Sequence, residues 1–87
     1  MPYTLIYVGQ ANKDAIKLKR AGFKEKAEYL LEILTQNSFQ NPPPYEKLKG
    51  DYQGFYSRRI NVQHRLIYEV LKEQKIVKIA RMWTHYE

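Results

Sequence analysis

Residues 54–70, GFYSRRINVQHRLIYEV, decide the fold predicted for this chain. Aromatic and β-branched residues fill both halves of the stretch, and polar residues 61–64 interrupt them, which is typical of two antiparallel strands joined by a tight turn. Because Arg58, Arg59 and Arg65 lie in these strands, the hairpin sets cations on a rigid sheet. We interpret it as the floor of a phosphate-binding site. Arg58 and Arg59 are strand neighbours and point to opposite faces, so only one of them can join a site on a given face.

The rest of the chain supplies elements on both sides of this hairpin. Residues 3–8 alternate as a strand does, and residues 10–20 and 23–34 repeat their apolar positions at helical spacing. A last strand is predicted at 75–83. The fold class is therefore predicted to be α+β, with two N-terminal helices packed on a mainly antiparallel four-stranded sheet in the order β-α-α-β-β-β. The helices need to bury their apolar sides and cover one face of the sheet, which leaves the other face open for function.

Composition limits the classes of protein that the chain can belong to. Its 87 residues suit one domain, 1–87, and the absence of cysteine excludes disulfides and thiolate metal sites. The lack of cysteine suits a reducing compartment, and no apolar run approaches the roughly 20 residues of a membrane span, so we expect a cytoplasmic protein. The net charge of +6 favours a polyanionic partner, and twelve aromatic residues (eight Tyr, three Phe, one Trp) exceed what a small core can bury.

The candidate chemical groups suit the cleavage of RNA without a metal. The sequence contains neither a glycine-rich phosphate loop nor a His/Cys ligand cluster, so we expect no cofactor and no metal site. RNA cleavage needs a base for the 2′-hydroxyl proton, cations at the phosphate and an acid for the leaving oxygen. Glu46 can be the base, Arg59 and Arg65 the cations, and His85 the acid.

Each of these groups also has an ordinary structural interpretation. Glu46 follows the stiff segment Pro42-Pro43-Pro44 and lies among lysines, where a carboxylate is often only solvated. His64 is expected at the surface of the hairpin turn, and His85 lies close to the end of the chain. Tyr56 and Tyr68 suit core or half-buried strand positions. From the residues alone, the chain is a basic α+β domain suited to RNA.

Four segments of the sequence resemble one family of proteins. They are Glu46-Lys47-Leu48-Lys49, the stretch 54–60, the stretch 64–68 and Trp83-Thr84-His85-Tyr86, and together they are similar to the YoeB/Txe toxins of bacterial type II toxin–antitoxin pairs, within the RelE superfamily. The resemblance implies a RelE-like fold and an endoribonuclease that cuts translated mRNA in the ribosomal A site and leaves a 2′,3′-cyclic phosphate. It places the general base, the phosphate-stabilising arginine and the general acid at Glu46, Arg65 and His85, and RNA-binding groups at Lys49, Arg59 and Tyr86.

The resemblance also implies partners, and two other readings stay open. A YefM/Axe-like antitoxin is expected to lay an acidic segment over the cationic face at Arg59 and Arg65, and a homodimer is compatible with the family. The chain departs from the family in the proline-rich lead to Glu46.

One alternative is a non-catalytic RNA- or ribosome-binding module, which needs neither Glu46 nor His85. The other is an inert basic partner of an acidic protein.

Overall fold

The computed structural model describes residues 2–83. The elements in chain order are β1 Thr4–Tyr7, α1 Ala11–Arg20, α2 Lys24–Gln36, β2 Glu46–Lys47, a 3-10 turn Gly50–Tyr52, β3 Tyr56–Arg59, β4 Arg65–Leu71 and β5 Ile76–Arg81. The strands form one sheet in the order β1-β5-β4-β3-β2. The α+β class, the two N-terminal helices and the hairpin of β3 and β4 are thus confirmed. Within residues 2–83, no helix is long and apolar enough to cross a membrane.

The predicted count of four strands is wrong, because the sheet has a fifth, β2. This strand is only two exposed residues long and pairs antiparallel with β3, with Glu46 opposite Ser57 and Lys47 opposite Tyr56. Two charged residues give no apolar alternation, so sequence periodicity cannot reveal such a strand. The sheet is also mixed: β1 runs parallel to β5, whereas the other neighbouring pairs are antiparallel. A parallel pair needs a long crossover connection, and here the chain passes through both helices after β1 before it enters the other strands.

The two helices pack on one face of the sheet. The core joins residues of α1 and α2 to inward-facing residues of β4 and β5, among them Leu18, Leu30, Leu34, Leu66, Tyr68, Val77 and Ile79. Gly22 lies between the helices at a φ of 87°, a left-handed conformation that favours glycine and lets the chain reverse after α1. The opposite face carries exposed and half-exposed polar residues, including Arg59, Arg65, Glu69 and Lys78.

Candidate active site

Strand register brings four polar residues to the open face of the sheet. Glu46 of β2 lies opposite Ser57 of β3, and Arg59 of β3 lies opposite Arg65 of β4. Cross-strand partners share a face, and so do residues two apart on one strand. Glu46, Ser57, Arg59 and Arg65 therefore all project from the side that the helices leave uncovered. Three adjacent strands thus contribute to one site.

The central contact of this site joins Arg65 to Glu46. Arg65 Nη1 lies 3.5 Å from Glu46 Oε1 and donates to Ser57 Oγ at 3.3 Å. The Glu46 side chain is 63% exposed, whereas that of Arg65 is 15% exposed. A long ion pair with one solvated partner stabilises a fold by only about 0–1 kcal/mol. The pair is thus better suited to meeting a ligand than to supporting the fold, since its carboxylate faces water and its cation is set firmly in the sheet.

A cleft of about 260 Å³ surrounds this pair and is lined by Pro44, Glu46, Ser57, Arg59 and Arg65. It is several times the roughly 30 Å³ that one water occupies in the liquid, so a phosphodiester group fits. Arg59 is exposed, and within residues 2–83 it forms no ion pair. Two guanidinium groups therefore face one cleft, where planar N–H donors match phosphate oxygens.

Of the other predicted site residues, the structure describes only Lys49. Lys49 is not among the residues around the Glu46 cleft; it lines a neighbouring cavity of about 670 Å³ together with Lys47, Gln53 and Phe55. His85 and Tyr86 lie outside the described residues. The structure thus brings together Glu46, Arg59 and Arg65 of the predicted set.

Two polar residues of the central hairpin, Arg58 and His64, are buried. Arg58 is fully buried on the face opposite the cleft, which confirms that it and Arg59 diverge. The expectation that His64 lies at the surface is wrong: it is 5% exposed, and its ring stacks on that of Trp83 at 3.9 Å between centroids. The backbone N–H of His64 donates to Asn61 Oδ1 at 2.7 Å, and this turn directs the ring back over the protein.

A carboxylate that the sequence analysis did not single out supports the end of β5. Asp14 Oδ2 accepts hydrogen bonds from Arg81 Nε at 2.7 Å and from the Met82 N–H at 3.0 Å, and Arg81 Nη2 donates to the Trp83 carbonyl. Burial alone would raise the pKa of Asp14, but the hydrogen bonds from Arg81, Met82 and Trp83 outweigh it and lower the pKa below its usual value. Arg81 thus has a structural role.

Comparison with known sequences identifies the family. A sequence profile described as the YoeB-like toxin of bacterial type II toxin-antitoxin system matches residues 7–86. The chain belongs to this YoeB-like toxin family. The YoeB toxin of Streptomyces coelicolor is 37% identical over 80 residues, which cover 92% of this chain and 86% of that toxin. The resemblance inferred from the sequence motifs is confirmed.

Solved structures of YoeB-like toxins share the fold. The YoeB/ParE toxin from Agrobacterium tumefaciens is 27% identical, with a TM-score of 0.86 over 95% of this chain and 99% of that one. YoeB of Staphylococcus aureus is 31% identical, and the match covers 99% of this chain and 100% of that one. That toxin is known as a dimer, with a TM-score of 0.83, and in a heterotetrameric complex with YefM, with a TM-score of 0.81.

Proposed function

We propose that this YoeB-like toxin is a metal-independent endoribonuclease that cuts translated mRNA in the ribosomal A site. The observation that carries the proposal is the cleft in which the Glu46 carboxylate lies 3.5 Å from Arg65, with Arg59 beside them. It combines a proton acceptor and two cations on one rigid sheet. Family membership supports the same reaction.

The proposed reaction is an attack by the 2′-hydroxyl on the adjacent phosphorus. Glu46 takes the hydroxyl proton, and Arg65 and Arg59 stabilise the negative charge that grows on the phosphate oxygens. The 5′-oxygen leaves with a proton from His85, which yields a 2′,3′-cyclic phosphate and a 5′-hydroxyl. Lys49 and Tyr86 contribute to RNA binding. Since a solvated carboxylate is a weak base for a hydroxyl, the ribosome contributes by holding the mRNA in line for attack.

Cleavage on mRNA-programmed ribosomes tests this proposal. Glu46→Gln and Arg65→Gln should each lower the single-turnover rate by about 100-fold or more, in the range found for general bases and charge-stabilising donors. Glu69→Gln is the matched control, because Glu69 is a half-buried carboxylate of β4 that pairs with Lys78 at 3.8 Å, away from the cleft. Undiminished cutting by both site variants would remove Glu46 and Arg65 from the mechanism. Ribosome binding without cutting by the wild type would instead support the non-catalytic module.

Independence from metal has its own test. A phosphorothioate at the scissile phosphate should slow cleavage, and Mn²⁺ should not restore the rate, because guanidinium groups rather than a metal contact the phosphate oxygens in this proposal. Restoration by Mn²⁺ would indicate a metal at the site and would contradict the proposal.

We also propose two protein partners and a cytoplasmic location, where translated mRNA is found. A YefM-like antitoxin places an acidic segment over Arg59 and Arg65, as charge complementarity favours, and so blocks the cleft. The affinity of the antitoxin for the toxin should fall when Arg59 and Arg65 are both replaced by glutamine. An unchanged affinity would show that the acidic segment binds at another surface. The chain also forms a homodimer, a proposal that the S. aureus toxin dimer supports and that light scattering of the purified chain tests.

A further inference from the structure

We propose that Arg58 is a positioning residue for Glu46. From the face of β3 opposite the cleft, its guanidinium fixes the loop 37–45, from which the chain enters β2 at Glu46. The catalytic consequence of this inference rests on the proposed function. Its structural part does not, and the experiments below separate the two.

The guanidinium of Arg58 contacts the loop at several points along its length. Nη2 donates to the carbonyl oxygens of Ser38 and Gln40 at 3.0 and 2.8 Å, and Nη1 donates to that of Pro43. Nε donates to the Tyr68 hydroxyl at 3.1 Å. Four of the five N–H donors that a guanidinium carries are thus used, three of them on loop backbone. One side chain therefore sets the path of the segment between α2 and β2.

Arg58 is buried and has no carboxylate partner among residues 2–83. Its exposure is 0%, and none of the ion pairs within residues 2–83 involves it. Burial raises the pKa of Tyr68 to about 12, so this phenol is neutral and does not balance the charge. The partial negative charges of loop carbonyls stabilise the cation instead. Removing a cation from water is strongly unfavourable. A gain in stability alone therefore explains the burial of Arg58 poorly. The rigid planar guanidinium, whose N–H groups bind several loop carbonyls at once, explains it as a residue that fixes the conformation of the loop.

The link from the loop to Glu46 passes through Tyr45. The guanidinium carbon of Arg58 lies 5.0 Å from the Tyr45 ring centroid, within the range of a cation–π contact. The same ring packs edge to face against Phe39 and Tyr56, at 5.9 and 5.7 Å between centroids. Tyr45 directly precedes Glu46, the first residue of β2, so fixing the Tyr45 ring on the helix side constrains the backbone from which Glu46 projects into the cleft. Adjacent residues of β3 thus act on opposite faces of the sheet: Arg58 fixes the loop 37–45, and Arg59 lines the cleft.

Arg58→Lys tests the inference, because lysine keeps the charge but cannot reach the separate acceptors with a single ammonium. We would measure single-turnover cleavage for the wild type, Arg58→Lys, Glu46→Gln and the double variant. Arg58→Lys should lower the rate about 10- to 100-fold where Glu46 is present, with half-saturating ribosome concentration unchanged, as expected for a misplaced catalytic group. In the Glu46→Gln background it should have no further effect. Equal losses in both backgrounds would overturn the inference.

Two further measurements exclude a general loss of stability. Val77→Ala, which creates a cavity in the core on β5 away from the loop, should leave the rate unchanged at a temperature where the variant is folded. Should Arg58→Lys not fold, Tyr68→Phe removes one acceptor of the guanidinium and should give the same dependence on Glu46 with a smaller loss. An equal loss in both backgrounds would again contradict the inference.

Hydrogen exchange tests the structural part without any activity. The reporter amide is the Leu48 N–H, which donates to the Phe55 carbonyl beside the β2–β3 pair. The reference amide is the Val8 N–H, which donates to the Ile79 carbonyl at the other edge of the sheet. In Arg58→Lys, or in Tyr68→Phe, Leu48 should exchange several-fold faster relative to Val8, because the loop that leads into β2 is released. An unchanged ratio would overturn the inference. If the wild type does not cut mRNA, the proposed function fails, and this ratio alone decides the positioning role.

Discussion

Replacing Asp14 with asparagine is expected to destabilise the protein in a pH-dependent way. The Asp14 side chain is 2% exposed, and its Oδ2 accepts one hydrogen bond from Arg81 and one from the Met82 N–H. Hydrogen bonds to charged groups contribute about 1.5–3 kcal/mol each, roughly twice the neutral value. Asparagine keeps an acceptor but loses the charge, so the two bonds together lose about 2–3 kcal/mol.

Because Arg81 is partly exposed, we expect the loss of stability to lie at the lower end of that range. Its side chain is 32% exposed, so water compensates part of the lost ion pair, and we expect about 2 kcal/mol in the free energy of unfolding. For a domain of this size that corresponds to a fall in Tm of roughly 8–16 °C. Urea and thermal unfolding at pH 7 measure both quantities. Asp51→Asn, at an exposed position of the 3-10 turn, is the matched control and should change little.

The pH profile separates the charge from the shape of the side chain. The folded-state pKa of Asp14 lies below its usual value, so its contribution is present above the unfolded pKa of about 3.9 and is lost as the pH falls through the folded pKa. The difference between the wild type and Asp14→Asn should therefore be constant from about pH 5 to 8 and shrink in more acidic solution. A difference below about 0.5 kcal/mol at pH 7, or one that persists undiminished in acid, would refute the reasoning.

Three other changes have expected outcomes. His64→Ala removes the stack on Trp83 and should cost at least about 0.5–1.5 kcal/mol, with a red shift in the fluorescence of Trp83, the one tryptophan of the chain; an unshifted spectrum would contradict the stack. Arg59→Gln should weaken RNA binding and reduce its salt slope by about one, as for the loss of one phosphate contact, and an unchanged slope would remove Arg59 from the RNA contacts. Glu69→Gln, which breaks an ion pair with Lys78, should change the free energy of unfolding by less than about 1 kcal/mol, and a larger change in urea unfolding would count against this estimate.

Much of the fold follows from local patterns in the sequence, because long elements carry their own periodicity. Apolar spacing predicted α1 and α2, and the polar interruption at 61–64 predicted the β3–β4 hairpin. Strand alternation also separated Arg58 from Arg59, and the family resemblance selected Arg59 and Arg65 as the site arginines. The short strand β2 was missed since its two charged residues gain their conformation by pairing with β3, which no local pattern reports.

The parts of the site that were missed depend on tertiary contacts. His64 is buried because Asn61 shapes its turn and Trp83 stacks on its ring, and neither partner is evident from the His64 neighbourhood alone. The loop carbonyls that Arg58 contacts lie 15 to 20 residues away in the chain, in a segment without periodicity. Asp14 could have been found: it falls three residues after Ala11 and four before Leu18, on the buried side of α1, where an acid needs a partner.

The most direct test of the central claim replaces a single oxygen in the substrate. The wild-type chain would be given ribosomes programmed with an mRNA that is either all ribose or carries one 2′-deoxynucleotide at the mapped cleavage position. If Glu46 activates a 2′-hydroxyl beside Arg65, the ribose mRNA is cut to a 2′,3′-cyclic phosphate and the deoxy mRNA is not cut at that bond. Cleavage of the deoxy mRNA at the same bond, or no cleavage of the ribose mRNA, would contradict the account.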